Sequence, residues 1–141
     1  MSRLKSLIRL HQWKLDEKLR DLRELERLHS QLQARSTKLN LELAEEQAIA
    51  EKSREASYTY ANYVESVFEQ QRNLKQSIYE TISQIQDLEE AVAKAYRELK
   101  KYELTEANRQ QRQKQILERH QQNDLDEVAL NLHRRRPAGL A

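Results

Sequence analysis

The chain has no cysteine, one glycine and one proline, and no apolar run near the ~18 residues that a membrane-spanning helix needs. Without cysteine there is no disulfide framework and no thiolate chemistry. Gly139 and Pro137 both fall in the last five residues, so nothing from Met1 to Arg136 breaks a helix outright. Aromatic residues are 6%, and there is no glycine-rich loop that could cradle a phosphate. The basic N-terminus lacks the apolar stretch of a secretory signal, so a cytoplasmic protein is expected.

What is present is polar and helix-forming. Charged residues make up 34% of the 141, and the mean hydropathy is −1.01. A compact globule would need more apolar area than this, so an elongated all-α shape is expected. Leu, Glu, Gln, Lys, Arg and Ala, all good helix formers, dominate. Polarity alone would also suit disorder. The spacing of the leucines argues against it.

From Leu15 to Leu43 leucines recur every three or four residues. With Leu15 at heptad position a, the a series is Ile8, Leu15, Leu22, His29, Ser36, Leu43, and the d series Leu4, His11, Lys18, Leu25, Leu32, Leu39. Such a stripe is too thin for a globular core and wide enough for one partner helix. Leu7, Leu19 and Leu28 would widen it toward a second neighbour. Polar residues at His11, Lys18, His29 and Ser36 are either tolerated flaws or register markers.

A second run has Val64, Gln71, Ile78, Ile85, Val92 and Leu99 at a, with Tyr60, Val67, Leu74, Thr81, Leu88, Ala95 and Tyr102 at d. Between the runs the stripe weakens, and the segment from Ser57 to Tyr63 is rich in Ser, Thr, Asn and Tyr. The expectation is an antiparallel two-helix coiled-coil hairpin forming one domain, 1–136. Its first helix spans about 3–53 with Ser2 as N-cap. A turn over 53–59 is capped by Ser57 or Thr59, and the second helix runs 59–136. Residues 137–141 form a disordered tail. The helices would measure ~75 Å and ~115 Å, so the second overhangs. Because Leu43, Ala50, Ser57 and Val64 keep the seven-residue spacing, a continuous helix in a parallel homodimeric scaffold is the rival.

Charge is segregated. Residues 1–15 carry four bases and no acid, while residues 40–70 carry seven acids against two bases, a net of −5. The C-terminus is basic again at Arg134, Arg135 and Arg136, a solvated tail rather than a nucleic-acid site. Tyr58, Tyr60, Tyr63, Val67 and Phe68 gather near the expected turn, either packing it or docking a partner. Trp13 sits at f, away from the seam. From Thr105 the sequence is nearly all polar, until Leu125, Val128, Ala129 and Leu132 make one short apolar face. No histidine pair has metal-ligand spacing, and no concavity is expected around the carboxylates. An enzyme, a cofactor and a small-molecule substrate are therefore not expected.

Three stretches carry a family resemblance. The opening from Leu4 to Glu26, the middle from Asn62 through Phe68 to Ile78, and the ending from Asn123 to Ala129 followed by basic residues are similar to the FliJ family of flagellar export proteins. The likeness covers essentially the whole chain, and the stalk proteins of virulence-type secretion systems share its plan. It implies a hairpin similar to the gamma subunit of rotary ATPases. It also implies insertion into a hexameric export ATPase, contact with the membrane export gate at the flagellar base, and escort of export chaperones. The ATPase contact is expected on the overhang, at Ile116, Leu117, Leu125, Val128 and Leu132 with Arg3 and Arg9. The gate contact falls on Tyr63, Val67, Phe68 and Leu74.

The hairpin expectation is open to solution scattering. A monomer near 16.9 kDa with a maximum dimension of ~110–130 Å agrees with it, and a dimer approaching ~200 Å overturns it.

Overall fold

The computed structural model describes residues 3–52 and 54–135. They form two α-helices, α1 (Arg3–Ala50) and α2 (Arg54–Arg135), which pack against each other as a hairpin. A single continuous helix is thereby set aside. Ser2, Ser53, Arg136 and the tail 137–141 lie outside the described residues, as do the cap and disorder expected of them. Contacts cluster in two units. One is Gln12–Arg97; the other joins α1 up to His11 with α2 from Glu98.

Within Gln12–Arg97 the helices run antiparallel. Leu25 lies beside Gln84 and Leu88, Ser36 and Asn40 beside Gln71, and Glu46 and Ile49 beside Tyr60 and Tyr63. The heptad a and d positions of both helices meet in one seam. Leu15, Leu39, Ala50, Val67 and Leu74 are buried there, and Leu22, Leu25, Leu32, Leu43, Ile78, Ile85, Leu88 and Val92 are half-buried. Half-burial of so many apolar residues follows from having only one neighbour. Leu28 is exposed while Leu19 is half-buried, so the widened stripe receives no second helix along Leu28.

The polar residues at seam positions stay in the seam. Lys18, His29 and Ser36 are all half-buried. Thr81 is buried and satisfies its hydroxyl by donating to the Ser77 carbonyl at 2.7 Å. Gln71 spans the seam. Its Nε2 donates to the Ser36 carbonyl at 3.0 Å and to Asn40 Oδ1 at 2.9 Å, and its Oε1 accepts from Ser36 Oγ at 2.9 Å.

The turn falls earlier than the sequence suggests. α1 ends at Ala50, the amide of Glu51 still bonds the Gln47 carbonyl, and that of Lys52 tightens to the Ile49 carbonyl. Two forces place it there. Acids crowd this end of α1 with no base in its last turn, which opposes the helix dipole. Beyond it, packing of Tyr60, Tyr63, Val64 and Val67 on α1 draws the Ser57–Tyr63 stretch into helix despite its middling propensity. Ser57 and Thr59 are therefore not caps. Both lie inside α2, and Thr59 Oγ1 donates back to the Glu55 carbonyl at 3.3 Å.

If the seam carries the stability, Leu25→Ala with Leu32→Ala should cost roughly 2 kcal/mol per residue, the low end for leucine because both are half-buried. The melting temperature should fall by about 10 °C. Leu28→Ala, outside the seam, should move it by less than ~2 °C. Equal effects at all three positions would contradict this assignment of the seam.

Candidate functional site

In the unit that joins the start of α1 to α2 from Glu98, the seam is made differently. Leu4 and Ile8 are half-buried, Leu99 is buried, and His11 stacks on Tyr102 with ring centroids 4.6 Å apart and 24° between planes. The next a and d positions of α2 are Glu106 and Arg109, a charge pair where leucines would be expected. Glu106 is only 7% exposed. Arg109 holds it with two bonds of 3.1 Å, one to each carboxylate oxygen, and Gln110 Nε2 adds a third at 3.2 Å. The Arg109 hydrogen bond lowers the Glu106 carboxyl below its ordinary range against the opposing effect of burial, and Lys5 of α1 assists from across the seam. The reciprocal interaction raises Arg109. The heptad frame already carried this signal, because 106 and 109 continue the 99 and 102 series by seven.

Past this clasp the helix has no cover. Every described residue from Gln110 to Arg135 is exposed, although α2 stays helical to Arg135. Its last turn carries Arg134 and Arg135, cations where the helix dipole favours them. The apolar residues here do not share one face. At 100° per residue Leu117, Leu125, Val128 and Leu132 fall within a narrow stripe, whereas Ile116 lies half a turn away from Leu125. Ile116 therefore leaves the docking face expected for it. Gln121 and Asp124 complete a shallow groove with Leu125 and Val128. Leu125 is 64% exposed and Leu132 62%, so the stripe is bare. Apolar residues at this spacing are the kind that helix-in-groove contacts use. Arg3 and Arg9 are exposed on α1.

The second candidate surface lies beside the turn, inside the unit Gln12–Arg97. Glu46, Ile49, Ala50, Ala56, Thr59, Tyr60 and Tyr63 line a groove between the helices. Burial raises the Tyr63 phenol above its ordinary value, and Glu42, Glu46 and Glu45 push it further, the mark of a strongly acidic surround. Tyr58 and Phe68 are exposed, at 81% and 54%. Val67 and Leu74, expected among the gate contacts, are instead buried in the seam, because d positions face α1. Of the four expected gate residues, only Phe68 and the edge of Tyr63 are open to solvent. Trp13 is exposed too, at its f position.

Among the described residues no group of His, Asp or Glu is arranged to hold a metal ion, and no helix is long and apolar enough to cross a membrane. Comparison with protein-family models, curated proteins and solved structures returns no match.

The clasp makes stability pH-dependent in one direction. A carboxyl whose folded value is lowered contributes fully above its unfolded value, near 4.5, and loses that contribution as pH falls through the folded value. Glu106→Gln should therefore flatten the fall in melting temperature between about pH 5 and pH 3. Identical acid limbs in the two proteins would show that the clasp adds nothing.

Proposed function

We propose that the chain is a non-catalytic coupling stalk of a flagellar-type protein export apparatus. It binds a hexameric export ATPase through the stripe Leu117, Leu125, Val128 and Leu132, aided by Arg3 and Arg9. It meets the cytoplasmic domain of the export gate with Phe68 and the edge of Tyr63, on the cytoplasmic face of the membrane at the flagellar base. Escort of export chaperones belongs to the same reading. One observation carries it: the exposed stretch of α2 from Gln110 to Arg135, helical, with an apolar stripe that nothing in the described chain covers. The resemblance of Leu4–Glu26, Asn62–Ile78 and Asn123–Ala129 to the FliJ family supplies the kind of partner.

The mechanism needs no chemistry from this chain. A ring of identical ATPase subunits around an asymmetric helix meets different side chains at each subunit. A contact that favours one subunit conformation over another shifts that subunit's equilibrium by the difference in contact free energy. The stalk's work is thus differential binding. Carboxylates and histidines serve as surface and seam groups, with no role as acids, bases or ligands.

Hydrolysis by the purified export ATPase, with and without this chain, tests the reading. Leu125→Ala with Val128→Ala should cut stimulation about tenfold, which corresponds to ~1.4 kcal/mol of lost contact, while helicity by circular dichroism stays unchanged. Ile116→Ala, on the other side of the helix, should change stimulation much less. Full stimulation by the double variant would remove the stripe as the contact, and no stimulation by the wild-type chain would remove the coupling role itself.

A further inference from the structure

The seam of the unit Gln12–Arg97 contains one cross-helix hydrogen-bonded layer and one orphan. Gln71 is seated between Ser36 and Asn40, a polar pair four residues apart on α1. One heptad earlier, α1 repeats the pattern with His29 and Gln33, again four residues apart. His29 Nε2 is buried there with no hydrogen-bond partner among the described residues. A buried polar atom left unpaired is costly, which makes the His29 layer the least satisfied point of the seam.

The heptad pattern does not by itself choose between registers seven residues apart. Leu25 lies beside Gln84 and Leu88, and Gln71 lies between Ser36 and Asn40, a register that places Leu25 about level with Ile85, Leu22 with Leu88 and Lys18 with Val92. Slipping α2 by one heptad would keep heptad seam positions against heptad seam positions within Gln12–Arg97. Leu25 would face Ile78, Leu15 would face Leu88, and Lys18 would face Ile85. Within Gln12–Arg97 the apolar seam residues would stay in the seam, at the cost of the His11–Tyr102 stack outside it, and Gln71 would arrive between His29 and Gln33. The chain also holds slack for the move. Between Ala50 and Tyr60 every described residue is exposed except Ala56, which is half-buried, so little packing resists rearrangement of the turn and the first turns of α2.

We propose that Gln71 is a register selector with two seats, Ser36/Asn40 in the observed state and His29/Gln33 in a second state one heptad away. The hairpin is then a two-position sliding device, and the orphan His29 Nε2 is the empty seat. A heptad of slip displaces one helix along the other by ~10 Å. This is a step between discrete arrangements of the kind that packed elements make, and it does not depend on which partner the chain binds.

Cysteine trapping tests it cleanly, because the chain has no cysteine of its own. Lys18→Cys with Val92→Cys reports the observed register, and Lys18→Cys with Ile85→Cys the slipped one. A disulfide needs Cα atoms within ~7 Å, so a separation of ~10 Å along the helix keeps the two reports apart. Under mild oxidation the 18/92 pair should close quickly, and the 18/85 pair should close more slowly but to completion. Adding His29→Leu should slow 18/85 closure at least tenfold and leave 18/92 unchanged, and Gln33→Ala should slow 18/85 to a lesser degree. An 18/85 pair that never closes beyond single-cysteine controls overturns the proposal. So does one that closes at the same rate with His29→Leu, since slip would then owe nothing to the second seat.

Discussion

A two-helix seam has no second layer behind it, and that constraint governs the rest of this structure. Each helix turns only its a and d positions inward, and most of these are half-buried. Apolar burial at ~25 cal/mol per Å² therefore accumulates slowly along the hairpin. A polar group in such a seam cannot be outvoted by surrounding bulk, so each one must be satisfied where it stands. Gln71 is satisfied across the seam, Thr81 on its own helix, and Glu106 by Arg109 and Gln110. His29 Nε2 is the exception among the described residues.

This economy explains why the fold was legible from spacing. The leucines at Leu15, Leu22, Leu25, Leu32 and Leu39 announce one inward stripe, and no competing glycine or proline offers another reading. The turn was less legible because its signal is energetic rather than compositional. Residues 57–63 look like a break by propensity, yet Tyr60, Tyr63, Val64 and Val67 gain more by packing than the segment loses by becoming helix. The break moves back to Glu51–Lys52, where acids meet the negative end of the α1 dipole.

The candidate surfaces were legible in part, and for a related reason. An i, i+3, i+4, i+7 run marks Leu125, Val128 and Leu132 as one face, and the structure leaves that face bare. Ile116 is near them in sequence, but nearness is a poor guide on a helix where nine residues carry a side chain to the opposite side. Val67 and Leu74 show the converse error. They lie near the exposed aromatics in sequence, but d positions are claimed by α1 first. Glu106 and Arg109 escaped because a charge pair does not look like core, although the heptad frame assigns both positions inward. Frame outranks polarity in a seam this thin.

The contrast between covered and uncovered helix then bears on what the molecule can do. A bare helix rich in Arg, Gln and Glu holds its shape by propensity, by side-chain pairs such as Gln122 to Asp126, and by the cations of its last turn. Those contributions are small and reversible, and they leave an apolar stripe facing water. Binding there would order little that is not already helical, so little of the contact energy would be spent on folding. A preformed helix with one narrow stripe is also directional, since rotating it within a surrounding partner presents leucine to one neighbour and charge to the next. On the proposed reading, discrimination between otherwise identical neighbours would arise from the angular width of the stripe rather than from any single residue.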